Sequence, residues 1–337
     1  MRVAIVHDDL VQWGGAERVL EAICEIYPDA PIYTSVFDQN NKELAKRFGN
    51  KKIQTSFLQI IPGWKTLYKG LLPFYPIAFE QFDFSGFNLV ISNTTRFAKS
   101  IITKPGTTHV CYCHTPPRFL WHFSGETSYG WLELLMSKLR IYDVVSARRV
   151  DYFLAGSGNA KRRIKKIYRM DSKVVYPFID LGRFMEVKSS SGDYFVIVGR
   201  PTKYKRFDLA IKTCKRLNLP LKIISGGLED AEVIKVLADC KALIIPGEED
   251  FGITALEAQA LGKPVIAYRK GGAMETVIEG KTGIFFDEQT IESLSLAIIR
   301  FNSLKNQIKA IDCCKNAASF SKASFLKNFK QVLANLG

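Results

Sequence analysis

The sequence predicts an α/β protein built from two parallel-sheet halves. Short apolar runs typical of buried strands alternate with stretches of helical periodicity, the pattern of successive strand–helix–strand units. This alternation occurs once before and once after a small, polar, linker-like stretch at 188–192. A chain of 337 residues, of which 47% are hydrophobic and 24% charged, is longer than one ordinary domain and suits two.

The first half carries six strand candidates and an amphipathic helix near its start. The helix begins at about Gly15 and places Val19, Leu20, Ile23 and Ile26 on one face. The predicted strands are 3–7, 31–36, 89–92, 108–112, 152–156 and 174–176.

The second half repeats the pattern with four strands, 194–198, 221–224, 242–245 and 264–267, and three helices, 204–217, 230–238 and 252–261. We therefore expect a first domain at 1–180, a second at 181–322, and a last helix at 323–337 that crosses back to the first. Parallel sheets bind ligands beyond the carboxyl ends of their strands, so we expect the site in a cleft between the domains.

The net charge of +14 is the one unusual bulk property, and it favours polyanionic partners in general. Segment 41–82 mixes basic with aromatic and aliphatic residues, which suits a surface lying on an anionic membrane. An irregular helical subdomain with its apolar side packed inward fits equally well. The basic members are Lys42, Lys46, Arg47, Lys51, Lys52, Lys65 and Lys69, and the apolar ones are Phe57, Leu58, Ile60, Ile61, Trp64, Leu67, Tyr68, Leu71, Leu72, Phe74 and Tyr75.

The N-terminus is interpreted as a buried strand, because its apolar run is too short for a secretory signal. No apolar stretch approaches the ~20 residues that a bilayer helix needs. Seven scattered cysteines indicate reduced thiols and not a disulfide framework. We expect a cytoplasmic protein, peripheral on the inner face of the membrane.

The strongest site signal is the stretch from Glu248 to Pro264, which follows a predicted strand and opens a helix at about Gly252. Glu249 precedes that helix, and Glu257 lies a turn and a half inside it, so both carboxylates can face one ligand. Carboxylates accept charge-assisted hydrogen bonds from sugar hydroxyls, and the helix start offers N–H groups to phosphate. The alternative for either residue alone is a helix cap or a solvated side chain.

A second motif follows the first strand of the second half, where Gly199, Arg200 and Lys205 lead into a helix. Two cations at a strand–helix junction can neutralise the charge that develops on a diphosphate leaving group. Taken alone, they would be surface charges.

In the first half, the Gly14-Gly15 pair opens a helix after the first strand and permits close backbone approach to a phosphate or sugar. His114 lies where two prolines end a strand, with Arg118 four residues later. His114 is a candidate contact for donor or acceptor; anchoring a loop is the alternative. His7, His109 and His122 are predicted to be structural, with His7 the best functional candidate of the three.

These motifs resemble the family-four retaining glycosyltransferases of the GT-B fold. Glu249 and Glu257 match their E-x7-E signature, 271–277 and 280–283 resemble their GG-x-x-E-x-V and G-x-x-G runs, and Gly199–Lys205 resembles G-R-x4-K. The motif H-T-P-x-R-x-x-W around His114 is similar to mannosyltransferase members that build bacterial surface polysaccharides. The usual glycine after the lysine is Arg206 here.

The resemblance implies two Rossmann-like domains that face each other across a cleft. It also implies transfer of a hexose, with retention of configuration, to a lipid-linked or oligosaccharide acceptor. The donor that fits best is GDP-mannose. Glu249 would contact the donor sugar, Glu257 the ribose, and Arg200 and Lys205 the diphosphate. The backbone of Phe251, Gly252 and Ile253 would lie against the donor. Gly15 and Gly199 would also bind the donor, and Gly14, Gly15, His114 and Arg118 would shape the acceptor site.

No Asp-x-Asp metal clamp, phosphate-binding loop or nucleophile elbow is present in the sequence. We therefore expect no metal and no cofactor besides the donor, and, without a recognised motif, no nucleic-acid partner. The rival hypotheses are another GT-B enzyme, an epimerase or phosphorylase, and a non-catalytic basic protein that binds membrane or nucleic acid.

Overall fold

The computed structural model describes residues 1–67, 70–123, 130–190, 192–226, 228–304 and 306–335. Among these residues, the first compact unit comprises 1–123, 130–176 and 326–335, and the second comprises 177–325.

The described residues of the first unit form a seven-stranded sheet in the order β3-β2-β1-β4-β5-β6-β7, with every pairing parallel. The central strands are buried along nearly their whole length, which requires helices on both faces of the sheet. The strands are β1 (Val3–His7), β2 (Ile32–Thr34), β3 (Ile53–Thr55), β4 (Leu89–Thr94), β5 (Thr108–Cys113), β6 (Tyr152–Ala155) and β7 (Ser172–Val174).

Helices cover this sheet and bury their apolar stripes against it. One cluster joins Val6 and Val90 of the sheet to Phe79 and Met136, and a second joins Cys111 and Phe153 to Ile164. The helices are α1 (Gly15–Ile26), α2 (Lys42–Phe48), α3 (Trp64–Leu67), α4 (Tyr75–Glu80), α5 (Arg118–Trp121), α6 (Glu133–Ala147) and α7 (Gly158–Tyr168).

The described residues of the second unit form a five-stranded parallel sheet in the order β12-β11-β10-β8-β9. Apolar clusters lie on both of its faces. The strands are β8 (Phe195–Val198), β9 (Leu221–Ile224), β10 (Ala242–Ile245), β11 (Val265–Tyr268) and β12 (Gly283–Phe286). The helices are α8 (Phe207–Arg216), α9 (Asp230–Ala238), α10 (Ile253–Ala260), α11 (Ala273–Thr276), α12 (Ile291–Leu304) and α13 (Ala310–Ser319).

The last helix, α14, spans Lys322–Ala334. Its first residues belong to the second unit, and the residues from Leu326 onward belong to the first. Within the first unit Phe329 is fully buried and lies 6.2 Å from the ring of Tyr112. Leu336 and Gly337 of the predicted helix lie outside the described residues.

The change of unit falls between Tyr176 and Pro177, a few residues before the predicted boundary at 180. The linker-like stretch 188–192 belongs to the second unit instead. Ser189 donates to the carbonyl of Ala238 at 3.0 Å, and Ser190 donates to Asp239 at 2.6 Å. Ser191 lies outside the described residues.

Strand order reverses at one point in each sheet. The chain passes from β1 to β2 on one side and later returns to β4 on the other, and β8 likewise lies between β9 and β10. Ligands of open parallel sheets bind at such switch points, beyond the carboxyl ends of the strands. Ligand sites are therefore expected at the carboxyl ends of β1 and β4 in the first unit, and of β8 and β10 in the second.

The structure differs from the sequence analysis at several elements. Strands β3 and β12 were not predicted, and β7 begins two residues before the predicted strand 174–176. The predicted helix 204–217 is interrupted, because a 3₁₀ turn at Lys203–Lys205 is separated from α8 by Arg206, whose φ of 51° breaks the helix.

Segment 41–82 packs most of its apolar side chains inward, as the second of the two interpretations expects. Leu58, Trp64 and Tyr75 are buried, and Lys65 pairs with Asp38 at 2.5 Å. Ile60, Leu67 and Phe74 remain exposed. Tyr68 and Lys69 lie outside the described residues.

No helix in the described parts of the chain combines the length and the apolar character needed to cross a bilayer.

Asp8, which directly follows β1, forms hydrogen bonds with the backbone that follows β4. Its fully buried carboxylate accepts four backbone N–H groups that follow β4, from Thr95 at 2.6 Å, Arg96 at 3.0 Å, Phe97 at 2.9 Å and Ala98 at 2.8 Å. Burial opposes ionisation, but the charges of Arg96 and His7 and these N–H groups outweigh it and lower the pKa of Asp8.

We expect Asp8→Asn to lower the free energy of unfolding of the first unit by at least about 3 kcal/mol, because an amide cannot accept from all four donors. Since the pKa is lower in the folded state, the contribution of Asp8 is complete above the unfolded pKa of about 3.9 and is lost as pH falls through the folded value. Urea denaturation at several pH values measures both effects. The exposed Asp29→Asn is the control, and equal stability of the two variants would contradict the assignment.

Candidate functional site

The switch point of the second unit brings a cation and a carboxylate together. Lys205 comes from the turn after β8, Glu249 from the loop after β10, and Nζ and Oε1 lie 3.0 Å apart. Both side chains are partly buried, with 17% and 20% of their surfaces exposed. With Gly252 and Thr254 they line a small pocket above the ends of the two strands.

Glycines allow the loops of this site to touch through their backbones. A Cβ atom at Gly247 would lie 2.2 Å from the carbonyl oxygen of Tyr204, and one at Gly272 would lie 2.2 Å from the Cα of Phe251. Gly272 N–H donates to the carbonyl of Glu249 at 2.8 Å. Gly199, with φ of 133°, lies against Lys205, whose Nζ would be 2.8 Å from an added Cβ. Side chains at Gly247 or Gly272 would push apart the loops that carry Lys205 and Glu249, and one at Gly199 would displace the Lys205 ammonium.

The start of α10 supplies the backbone part of the site. Gly252 takes the left-handed conformation, φ 89°, before the helix begins at Ile253. The Phe251 side chain is buried and packs edge-on against Phe320 at 5.6 Å, so Phe251 has only its backbone to offer a ligand. The first N–H groups of a helix have no intrahelical acceptor and attract anions.

Glu257, further along α10, forms an ion pair that the sequence analysis did not predict. Arg183 Nη1 lies 3.1 Å from Glu257 Oε1, and the same guanidinium binds Asp230 with Nε and Nη2. Arg183 follows the change of unit by a few residues, and neither its spacing nor a local motif marked it as part of the site.

Arg200 is exposed in the loop after Gly199, while Lys205 is the cation that lines the pocket. Arg206 occupies a left-handed position that favours glycine, which gives a physical reason for the glycine usual there. It pairs with Asp208 at 3.1 Å.

In the first unit, a chain of polar contacts links His114 to the end of β1. His114 Nε2 lies 2.8 Å from Asn93 Oδ1, and Asn93 Nδ2 donates to the carbonyl of Ala16 at 2.8 Å. Because that carbonyl can only accept, the amide nitrogen of Asn93 faces α1 and its oxygen faces His114. The proton of His114 is therefore on Nε2.

His7 continues this chain, with Nδ1 3.1 Å from Asn93 Nδ2 and Nε2 3.5 Å from Glu17 Oε1. Burial alone would lower the pKa of His7, but the hydrogen bond and charge of Glu17 outweigh it and raise the pKa. Gly14 precedes α1 and Gly15 begins it; a Cβ at Gly14 would lie 3.1 Å from Glu17 Oε2.

The remaining predicted residues of the first unit have simpler surroundings. Arg118 begins α5 and is half-buried. His109 is fully buried and 2.8 Å from the Ser92 hydroxyl, and burial lowers its pKa to about 3. His122 ends α5 in the left-handed conformation.

The structure thus groups Gly199, Lys205, Glu249 and Gly252 in one unit, and His114 with the start of α1 in the other. Asn93, His7 and Arg183 were missed as partners because each acts through a contact far away in sequence. The residues of the second unit offer an ammonium, helix N–H donors and a carboxylate acceptor. They can therefore bind a ligand in which an anion lies next to several hydroxyls.

We expect Glu249→Gln to strengthen the binding of inorganic pyrophosphate by about five-fold, equivalent to about 1 kcal/mol for a partly buried pair. The substitution removes the charge that neutralises Lys205 but keeps the size of the side chain. Isothermal titration calorimetry measures the change, with Asp29→Asn as a control for net charge. Unchanged or weaker binding would show that Glu249 does not compete with the anion for Lys205.

Solved structures share this architecture over the whole chain. The crystal structure of Anabaena Alr3699/HepE in complex with UDP matches with a TM-score of 0.70 and 18% identity, covering 99% of this chain and 100% of that one. Sucrose-phosphate synthase from Thermosynechococcus elongatus matches with a TM-score of 0.75 and 14% identity, covering 100% and 99%. At these identities the matches establish the fold.

Sequence relatives match over shorter stretches. Alpha-1,3/1,6-mannosyltransferase ALG2 of Dictyostelium discoideum is 44% identical over 72 residues, 21% of this chain and 16% of that protein. The GDP-mannose-dependent alpha-(1-6)-phosphatidylinositol monomannoside mannosyltransferase of Mycolicibacterium smegmatis is 48% identical over 50 residues, 15% and 13%. The matched region therefore spans less than a fifth of either relative.

The family model described as "Glycosyl transferases group 1" matches residues 222–320. This region holds Glu249, α10 and Glu257, together with the loop of Gly271 and Gly272, which contacts the backbone of Glu249. The second unit of this GT-B chain therefore contains a group 1 glycosyltransferase domain.

Proposed function

We propose that the protein is a retaining, metal-independent glycosyltransferase that moves mannose from GDP-mannose to a lipid-linked or oligosaccharide acceptor in surface polysaccharide synthesis. The observation that carries the proposal is the contact between Lys205 and Glu249 at the switch point of the second unit. A nucleotide sugar presents a diphosphate beside a ring of hydroxyls, which are the groups that these two side chains bind.

The reaction breaks the bond between the anomeric carbon and the β-phosphate oxygen, so negative charge grows on the diphosphate. In this proposal Lys205, Arg200 and the N–H groups at the start of α10 stabilise this charge, a role that a metal ion has in other transferases. The acceptor oxygen forms the new bond on the same face, and its proton passes to the leaving phosphate. The glycosyl group therefore keeps its configuration.

The two mannosyltransferase relatives and the motif around His114 support mannose as the sugar. A structural neighbour was solved with UDP, so UDP-sugars are the competing donors. In this proposal His114 contacts the sugar or the acceptor, held in orientation by Asn93.

We expect Arg200→Ala, Lys205→Ala and Glu249→Ala each to lower transfer by about 10²-fold or more, because each removes a group aimed at developing charge or at the donor sugar. A thermal-shift screen of nucleotide sugars first identifies the donor, which stabilises the native protein. Release of nucleoside diphosphate, assayed with and without EDTA, then measures transfer.

The matched control is Lys203→Ala, which removes an exposed lysine from the same 3₁₀ turn as Lys205. Wild-type rates in all three site variants would refute the site. Conversion of the sugar nucleotide without an acceptor would identify an epimerase, and loss of activity in EDTA would refute metal independence.

We further propose that the first unit contacts an anionic membrane, which is where a lipid-linked acceptor resides. On α6, Leu134, Ile141 and Val145 are exposed, and their spacing places them on one stripe of the helix. Lys138 and Arg148 are exposed along the same stripe. Apolar side chains flanked by lysine and arginine suit insertion among anionic headgroups.

α4 packs on the same apolar cluster as α6, and Tyr142 donates to Glu80 at 2.8 Å. Phe74 and Ile77 are exposed at this helix, as are Ile60 and Leu67 before it. The exposed members of segment 41–82 therefore add to the apolar surface of the first unit.

We expect Ile141→Glu to reduce co-flotation with vesicles containing phosphatidylglycerol by several-fold, because it places a negative charge in the apolar stripe. Binding of the wild type should weaken with added salt and be low on neutral phosphatidylcholine vesicles. Ile299→Glu, at an exposed isoleucine of α12 in the second unit, is the control. Equal flotation of both variants would contradict this surface.

A further inference from the structure

The contacts of Arg183 hold its guanidinium in one orientation and restrain the carboxylate of Glu257. Arg183 ends a 3₁₀ turn, Leu181–Arg183, that Asp180 caps by accepting from Gly182 N–H at 3.2 Å. One edge of its guanidinium grips both oxygens of Asp230, the first residue of α9, with Nε 2.9 Å from Oδ2. The remaining nitrogen, Nη1, lies 3.1 Å from Glu257 Oε1.

The burial of these groups indicates which of the contacts is shielded from water. The side chains of Arg183 and Glu257 are 19% and 14% exposed, whereas that of Asp230 is 60% exposed. A planar guanidinium that is held at two points has little rotational freedom left. Asp230 therefore serves as an outer anchor, and the inner contact of Arg183 is with Glu257.

A carboxylate has two oxygens with about four acceptor positions between them. The Arg183 N–H on Oε1 does not exhaust that capacity, but it restrains the plane of the carboxylate. The direction in which Glu257 accepts further hydrogen bonds is then determined before a ligand arrives, which is preorganisation.

We propose that Arg183 is a positioning residue for the nucleotide: it holds the Glu257 carboxylate in the orientation that accepts hydrogen bonds from the ribose hydroxyls of the donor. The inference rests on the proposed function, in which Glu257 binds the ribose. Lysine at 183 would not substitute, because an ammonium cannot grip Asp230 with two nitrogens and also reach Glu257.

The test compares the binding of GDP and 2′-deoxy-GDP by isothermal titration calorimetry. For the wild type we expect the loss of the 2′-hydroxyl to weaken binding by about ten-fold or more, since hydrogen bonds to a charged group are strong. Glu257→Gln should bring the ratio of the two dissociation constants close to one. Arg183→Ala should do the same, by weakening GDP about ten-fold and leaving 2′-deoxy-GDP almost unchanged.

A role of Arg183 in folding alone would weaken both ligands equally, or neither, and would preserve the ratio. Asp230→Asn loosens the anchor at an exposed position and should lower the ratio part of the way, so it decides the question if Arg183→Ala does not fold. Arg216→Ala removes an arginine that pairs with Glu292 elsewhere in the second unit and should keep the wild-type ratio.

The outcomes separate the two hypotheses. If the wild type binds neither GDP nor UDP, the proposed function fails. If the wild type discriminates against the deoxy ligand and Glu257→Gln abolishes this, but Arg183→Ala and Asp230→Asn retain the full ratio, the positioning role is overturned. A ratio that Glu257→Gln leaves unchanged would overturn the positioning role together with the ribose contact.

Discussion

The second unit depends on how closely three loops approach one another at the ends of β8, β10 and β11. Backbone meets backbone at Gly247 and Gly272, where a side chain would lie about 2.2 Å from main-chain atoms. This approach sets Lys205 and Glu249 in contact. Without a ligand, each neutralises the other, so the pocket keeps an ammonium and a carboxylate ready without leaving either charge alone.

The contact also bears on how one small pocket could serve two chemical groups. In the proposed function, a diphosphate competes with Glu249 for Lys205, and sugar hydroxyls then replace the ammonium as partners of the carboxylate. The start of α10 adds N–H donors that have no intrahelical acceptor. The same helix carries Glu257 further along, so one rigid element holds the N–H groups at its start and the Glu257 carboxylate at a fixed separation.

The first unit uses a different arrangement, in which Asp8 and Asn93 are buried and hydrogen-bonded to the backbone of neighbouring elements. Asp8 binds the backbone after β4, and Asn93 connects His114 to the start of α1. Hydrogen bonds to the backbone hold these side chains in place, and the charge of Arg96 adds to them at Asp8. His114 is thereby linked through Asn93 to the carbonyl of Ala16 in the first turn of α1.

The sequence by itself determined the α/β class, most strand positions and the motif residues, because period, turn residues and motif spacing are local. It missed β3, whose three half-buried residues include a polar Gln54, and also β12. It predicted a continuous helix through Arg206, where only the backbone conformation shows the break. Only the tertiary structure decided which side chains meet, namely Arg183 with Glu257 and Asn93 with His114, and that most apolar side chains of segment 41–82 pack inward. These contacts join residues from 21 to 74 positions apart, and the order of strands, not local sequence, brings such residues together.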